Sequence, residues 1–218
     1  MKKLFVLLSI ILLLVSGCSI KTLSNTDYKK NINIILSEKS SSTNVNFEGY
    51  KYYVPNGLKF LNKEEYNAVL KDKYNNYYYT YFDLVSYYHK VENTYEEKSD
   101  AYYSKLLAYN NKNGYIEISE TNNKYFIVYV FNYAKIEALV TKDSLTDSIN
   151  NMSYILRSVK YNDKVLGSII GDNVLSYSEE NFTLFDTESS QEDFLEVVSK
   201  YDSGYKEAKD QEELNLDE

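Results

Sequence analysis

The stretch YIEISETNNKYFIVYVFNYAKIEALVTKDSLTDSINNMSYILR, residues 115–157, holds three strand patterns followed by one helix pattern. The predicted strands are 115–120, 124–131 and 134–140. Residues 124–131 are apolar on both faces, which is typical of a central strand covered on both sides. Short connections between the three strands favour antiparallel neighbours. This stretch therefore predicts the middle of an antiparallel sheet.

A helix is predicted over residues 144–157. Its apolar side chains recur at i, i+4, i+7 and i+11 and form one continuous stripe. They are Leu145, Ile149, Met152 and Leu156. Asp143 or Ser144 is expected to cap the helix. Strands followed by a long helix favour an α+β fold, an antiparallel β-sheet flanked by helices.

The chain before residue 115 adds one more helix and further strands. A helix is predicted over 27–37, capped by Thr26, because Ile32, Ile35 and Leu36 share one face. The residues Pro-Asn-Gly at 55–57 predict a turn. Further strands are predicted at 50–54, 66–70, 76–88, 101–109 and, after the long helix, 158–162. Together with the central stretch they make one α+β domain, residues 26–163.

The chain after residue 163 is predicted to be an extension of that domain. Residues 164–205 are expected to contain a hairpin around Gly171 and an amphipathic helix at 191–201. Residues 206–218 are strongly acidic and poor in apolar side chains, so they are expected to be disordered.

The first 18 residues have the pattern of a lipoprotein signal peptide. Lys2 and Lys3 precede twelve mainly apolar residues, which are too few to span a bilayer but suit a signal peptide. The sequence Val-Ser-Gly-Cys at 15–18 resembles the lipobox of bacterial lipoproteins. The resemblance implies cleavage after residue 17, lipidation of the Cys18 thiol with fatty acyl chains such as palmitate, and a tether over 18–25. The expected location is the extracytoplasmic face of the cell membrane.

Composition and charge exclude several classes of protein. The 218 residues include 24 basic and 32 acidic side chains, for a net charge of −8, which disfavours binding to nucleic acid. One cysteine excludes an intrachain disulfide, and one histidine excludes a histidine-rich metal site. No cofactor and no metal site are predicted.

Three segments carry a resemblance to a known family. They are GYKYYVPNG at 49–57, AKIEAL at 134–139 and ILRS at 155–158. These segments resemble small lipoproteins of low-G+C bacteria. The order of elements from Thr26 to Asp163 is similar to that of the photosystem II extrinsic PsbP family, a sandwich of an antiparallel sheet and flanking helices. That resemblance implies a role in binding or assembly and carries over no catalytic residue.

Residues 109–120 come close to a calcium-binding loop. Four residues match the types required at positions 3, 5, 6 and 12: Asn111, Asn113, Gly114 and Glu120. Position 1 requires a carboxylate, however, and is Tyr109. Residues 111–114 are therefore interpreted as a hairpin turn.

Other candidates for chemistry have simpler interpretations. His89 has no identifiable nucleophile as a partner and is interpreted as a surface residue. Glu92, Glu96 and Glu97 are interpreted as a solvated face. Ser203 and Lys206 match Ser-x-x-Lys without the companion motifs of that family of enzymes.

Tyrosines on both faces of a predicted strand over 74–88 are the candidate binding residues. Tyr77, Tyr79 and Tyr81 share one face, whereas Tyr74, Tyr78 and Tyr88 share the other. If only one face is covered by the core, the other set forms an exposed aromatic stripe for a protein or glycan. Tyr77, Tyr79 and Tyr81 are the predicted ligand- or partner-binding set. The alternative is that helices cover both faces and every ring is part of a core.

The expected function is that of a membrane-anchored, non-catalytic binding or assembly module of the cell envelope. Its partners would be the membrane, through the N-terminal lipid, and envelope proteins. Two alternatives remain open at this point: a hydrolase of cell-wall or extracellular material, and a transporter-associated ligand-binding lipoprotein.

Overall fold

The computed structural model describes residues 27–39, 42–92, 94–170 and 190–202. Those ranges contain ten strands and five helices. The strands are β1 (Val45–Asn46), β2 (Tyr50–Tyr52), β3 (Lys59–Lys63), β4 (Asn67–Lys71), β5 (Tyr77–Phe82), β6 (Tyr103–Tyr109), β7 (Lys112–Thr121), β8 (Lys124–Phe131), β9 (Ala134–Thr141) and β10 (Lys160–Tyr161). The helices are α1 (Tyr28–Ser37), α2 (Leu84–His89), α3 (Lys142–Ser158), α4 (Asp163–Ile169) and α5 (Gln191–Ser199).

The strands form two antiparallel sheets. The large sheet has seven strands in the order β3-β4-β5-β9-β8-β7-β6, and the small sheet has the order β1-β2-β10. The predicted turn at 55–57 separates β2 of the small sheet from β3 of the large one. The predicted fold class, an α+β fold with an antiparallel sheet flanked by helices, is confirmed.

The large sheet is covered by apolar side chains on both faces. Along β9, Ile136 and Ala138 belong to the main core. The next residue, Leu139, points to the opposite face and belongs to a second apolar cluster there. The strand β8 is buried from Tyr125 to Phe131, because it lies between these two clusters. The prediction of a central strand is therefore confirmed.

The helix α3 packs on the main-core face, and its predicted stripe is confirmed, since Ile149 and Met152 are 0% exposed. The predicted caps are wrong. Thr141 precedes α3 and makes no side-chain cap, while Asp143 and Ser144 lie inside the first turn. The helix begins earlier than predicted because strand β9 runs directly into it.

The cap of α1 also differs from the prediction. Asp27 Oδ1 accepts a hydrogen bond from the Lys29 backbone nitrogen at 3.0 Å, so Asp27 is the N-cap. Thr26, the predicted cap, lies outside the described residues. Ile32, Ile35 and Leu36 are buried together, as the sequence predicts.

The predicted long strand at 76–88 is wrong in its second half. The strand β5 ends at Phe82, and Asp83 caps α2 by accepting a hydrogen bond from the Ser86 nitrogen at 2.8 Å. Tyrosine-rich sequence favours a strand by propensity, but the cap and the burial of Leu84 and Val85 in the main core favour a helix here.

The described parts of the C-terminal segment pack on both faces of the large sheet. Leu166 of α4 joins the main core, whereas α5 covers the second cluster. The strand β10 lies within the predicted strand 158–162, and it pairs with β2. The hairpin expected around Gly171 and the tail 206–218 lie outside the described residues. No helix in the described ranges is long and apolar enough to cross a membrane.

Candidate binding cleft

A cleft of about 830 Å³ lies at one end of the large sheet. Three structural features meet there: the end of α2, the turn between β6 and β7, and the turn between β8 and β9. The side chains that matter for its chemistry are Tyr87, Lys90, Glu92, Leu106, Asn111 and Tyr133. The cleft is thus built from segments that are distant in the sequence.

The two turns at the cleft have the same geometry. Asn110 and Asn111 have φ angles of 52° and 59°, and Asn132 and Tyr133 have φ angles of 53° and 59°. Two positive φ angles in succession define the tight hairpin turn that matches the twist of the flanking strands. The predicted hairpin at 111–114 is therefore confirmed as a hairpin, but its turn is Asn110–Asn111.

The backbone beside these turns is too close to a neighbouring strand for any side chain at position 114. A Cβ atom added to Gly114 would lie 2.1 Å from the Val130 carbonyl oxygen. Glycine is required there because only a residue without a Cβ allows this approach. In a calcium loop this glycine would serve a sharp turn, whereas here it allows β7 and β8 to pair closely.

Tyr133 is a bulky residue in a left-handed conformation and is held by its backbone. The Tyr161 hydroxyl lies 2.9 Å from the Asn132 carbonyl oxygen and 3.0 Å from that of Tyr133. The Asp83 backbone nitrogen also donates to the Tyr133 oxygen at 3.0 Å. These bonds offset the cost of the positive φ angle and fix the ring at the cleft.

Tyr87 forms an aromatic wall of the cleft. Its ring stacks on that of Tyr161 at 3.9 Å and meets Tyr133 edge-on at 5.5 Å. The Lys90 ammonium lies 3.5 Å from the centroid of the Tyr87 ring, a cation–π contact. Asp163 Oδ1 accepts a hydrogen bond from the Tyr87 hydroxyl at 2.7 Å. The wall is therefore rigid before any ligand binds.

The phenols of this wall are neutral at physiological pH. Burial, followed by the hydrogen bond to Asp163, raises the pKa of Tyr87 to about 12. Burial also raises the pKa of Tyr133, with smaller contributions from Asp83 and Glu92. Neutral phenols supply hydrogen bonds and stacking surfaces and do not act as bases.

The cleft offers few groups for catalysis or metal binding. Among the described side chains that line it, Glu92 is the one carboxylate, and Lys90 is engaged with a ring. Across the four described ranges, no group of three His, Cys, Asp or Glu side chains is placed to hold a metal ion. The arrangement suits recognition of a ligand by rings and amides.

The predicted tyrosine set lies on the opposite side of the sheet from the main core. Tyr77, Tyr79 and Tyr81 do share one face, as their spacing predicts. The expected exposure is wrong for Tyr77, which is 0% exposed beneath α5 and whose hydroxyl donates to Asp202 Oδ2 at 2.5 Å. Tyr79 and Tyr81 are half-buried at the margin of the same cluster. Partner binding by Tyr79 and Tyr81 stays a prediction.

The second tyrosine set does not form a single face. Tyr74 is exposed in the loop before β5, Tyr78 is buried in the main core, and Tyr88 lies on α2. The predicted common face is wrong because the strand is shorter than the sequence pattern indicates.

The remaining candidates occupy surface positions or fall outside the described residues. His89 ends α2 and is exposed, as interpreted from the sequence. Glu92, Glu96 and Glu97 are exposed as well, and Glu97 pairs with Lys105 at 3.3 Å. Cys18, Ser203 and Lys206 lie outside the described ranges.

The residues that form the cleft are not indicated by any pattern in the sequence. Tyr87 and Tyr133 belong to separate elements that only folding brings together, so local sequence does not indicate that they share a site. The dipeptide Asn132–Tyr133, placed between two apolar runs, was the one available signal of a turn. No protein-family model matches this chain, and no curated protein matches it significantly.

Proposed function

We propose that this protein is a lipid-anchored, non-catalytic binding or assembly module on the extracytoplasmic face of the cell membrane, and that the cleft is its binding site. The observation that carries the proposal is the lining of the cleft: rigid, neutral phenols and amides, with no nucleophile paired to a base among its described side chains. Such a lining favours binding over reaction.

The lipid anchor is supported by the sequence around Cys18. A branched residue and two small residues precede the thiol, which suits a lipobox. The resemblance of the element order to the PsbP family also supports binding or assembly rather than catalysis. The partner is expected in the cell envelope, where a lipid anchor would hold the cleft close to membrane and envelope proteins.

The anchor is tested by changing Cys18→Ala in the full chain. We expect the variant to lose labelling by fatty acid and to accumulate as the uncleaved precursor, because the thiol is the site of lipidation. The variant Ser16→Ala keeps a small residue before the thiol and is the matched control, expected to be labelled and cleaved normally. Normal labelling of the Cys18→Ala protein would contradict the anchor.

The cleft is tested by photo-crosslinking in intact cells. Leu106 lines the cleft and is 46% exposed, whereas Leu61 on β3 is 41% exposed and lies at the other edge of the sheet. A photoreactive amino acid at position 106 should give discrete crosslinked products that the same group at position 61 does not give. Identical products from both positions would argue against the cleft as the binding site.

A further inference from the structure

A second pocket, of about 310 Å³, collects positive charge at the far side of the β6–β7 turn. It lies where the C-terminal ends of α1 and α3 approach β7 and β10. Four cationic side chains line it, together with one carboxylate, Glu38. The cations are Lys39, Lys112, Arg157 and Lys160. This concentration contrasts with the net charge of −8 on the whole chain.

Two of these cations hold the ends of helices. Arg157, the chain's one arginine, donates from Nη1 to the Ile35 carbonyl oxygen at 3.1 Å and to Glu38 Oε2 at 2.6 Å. Lys112 Nζ donates to the carbonyl oxygens of Arg157 at 3.3 Å and Val159 at 3.2 Å. Cations are stabilised at helix C-termini by the helix dipole, so these two have a structural role.

Lys39 and Lys160 carry the other two positive charges of the pocket. Lys160 on β10 stands directly opposite Lys51 on β2, so both side chains lie on one face of the small sheet. Like charges placed opposite each other in this way destabilise a sheet. Burial lowers the pKa of the half-buried Lys112, and the charge of Lys160 lowers it further. The cations of the pocket therefore repel one another.

Arg157 also has an unused donor. Its Nε atom is buried and has no hydrogen-bond partner among the described residues. A buried donor without a partner is costly, so the protein's own groups do not fully satisfy the hydrogen-bonding capacity of this guanidinium. Leu36 and Phe131 give the same pocket an apolar wall that would suit carbon atoms next to an anion.

We propose that this pocket binds a phosphate ester. The planar guanidinium and the nearby ammonium groups match the shape and charge of a phosphate, and the apolar wall fits the carbon attached to it. The phosphate could belong to a soluble phosphate ester or to the headgroup of a phospholipid. This site goes beyond the cleft of the proposed function, although Asn110 and Lys112 border both.

The test is calorimetric titration of the purified full chain in detergent with two soluble probes. Glycerol 3-phosphate represents a free phosphate monoester, and glycerophosphoglycerol represents the deacylated headgroup of an anionic phospholipid. We expect at least one probe to bind. Tighter binding of glycerophosphoglycerol would assign the site to a lipid headgroup, and tighter binding of glycerol 3-phosphate to a soluble ester.

The decisive variant is Lys39→Gln with Lys160→Gln, which leaves the helix-capping bonds of Lys112 and Arg157 in place. We expect it to bind about ten-fold more weakly or worse, since charged groups that contact an anion contribute most of such affinity. The matched control is Lys59→Gln with Lys142→Gln, two exposed lysines at the opposite sheet edge and the opposite end of α3. It removes the same charge and should change the affinity less than two-fold.

A third variant, Arg157→Lys, keeps the charge but removes the guanidinium, and its melting temperature shows whether the fold survives. We expect it to melt as a folded protein and to bind the phosphate probe more weakly. The proposal is overturned if neither probe binds at concentrations up to about 10 mM. It is also overturned if the Lys39/Lys160 variant and its control bind equally well.

Discussion

Two buried tyrosines show how differently one side chain can be used in this core. Tyr78 donates its hydroxyl hydrogen to Asp72 Oδ2 at 2.7 Å and lies 2.9 Å from Ser148 Oγ, so its oxygen is fully paired. The Tyr52 hydroxyl is equally buried but has no hydrogen-bond partner among the described atoms. A buried unpaired polar group destabilises a fold, whereas a paired one stabilises it modestly.

Removing the Tyr78 hydroxyl is therefore expected to destabilise the fold, whereas removing the Tyr52 hydroxyl is not. Tyr78→Phe should lower the free energy of unfolding by about 1–3 kcal/mol, because it leaves the buried Asp72 carboxylate with one donor fewer. Tyr52→Phe should leave it unchanged or raise it by about 1 kcal/mol. Denaturant unfolding of both variants measures the difference. A loss of stability in Tyr52→Phe equal to that in Tyr78→Phe would contradict the assignment of an unpaired hydroxyl.

At the scale of elements, helix α3 is where sequence pattern and structure agree best. Its stripe repeats at helical spacing over the twelve residues 145–156, and each member of the stripe is buried in the main core. Helix α2 is the opposite case, since a single polar residue, Asp83, ends β5 and starts the helix. A long periodic element can be predicted from its own residues, whereas a six-residue helix depends on its cap and its neighbours.

The contribution of α3 is tested by truncating its central residues. Ile149→Ala and Met152→Ala should each lower the free energy of unfolding by about 2–5 kcal/mol, because both side chains are fully buried and leave a cavity. Lys142→Ala, in the exposed first turn of the same helix, is the control and should change it by less than about 0.5 kcal/mol. Losses below that control value at both core positions would mean that another face of α3 packs on the sheet.

At the scale of the whole molecule, buried phenols dominate the expected response to pH. Burial raises the pKa of Tyr50 and Tyr78 above the ordinary value of 10.0 and raises that of Tyr95 to about 12. A raised folded-state pKa means that the stability is fully present below pH 10 and is lost as the pH rises above it. Lys112 acts in the opposite direction, since its pKa is lowered, but it is a single group.

Stability should therefore fall steeply above pH 10. Denaturant midpoints at pH 8, 10 and 11 measure this fall, to which each fully buried tyrosine contributes about 1.4 kcal/mol per pH unit. The variant Tyr78→Phe lacks one such group, so its stability should fall with a slope lower by about that amount. Equal slopes for the two proteins would contradict the contribution of Tyr78.

The β3 edge of the large sheet carries features that hinder pairing with another chain, and the strand register shows one of them. In the pairing of β3 with β4, the register shifts between Phe60 and Asn62 and leaves Leu61 as a bulge. Lysines stand at both ends of β3. A bulge and flanking charges are devices that hinder pairing of an exposed edge with another chain.

Much of the fold could be predicted because it follows from the periodic spacing of apolar residues within single elements. The strands β7, β8 and β9 and the stripe of α3 follow from the spacing of apolar residues, and turns rich in asparagine follow from its tolerance of positive φ angles. The prediction of a lipid anchor at Cys18 also depends on a local pattern, Val-Ser-Gly-Cys at 15–18. These features depend on residues that are neighbours along the chain.

Only the tertiary structure decided what covers each face and which distant residues meet. Periodicity placed Tyr77, Tyr79 and Tyr81 on one face, but α5, more than a hundred residues later, buries Tyr77. The cleft joins Tyr87 to Tyr133, and the cationic pocket joins Lys39 to Arg157, residues that are also far apart in the sequence. An apolar or charged face is encoded locally, whereas its partner is selected by the packing of the complete chain, which no local pattern specifies.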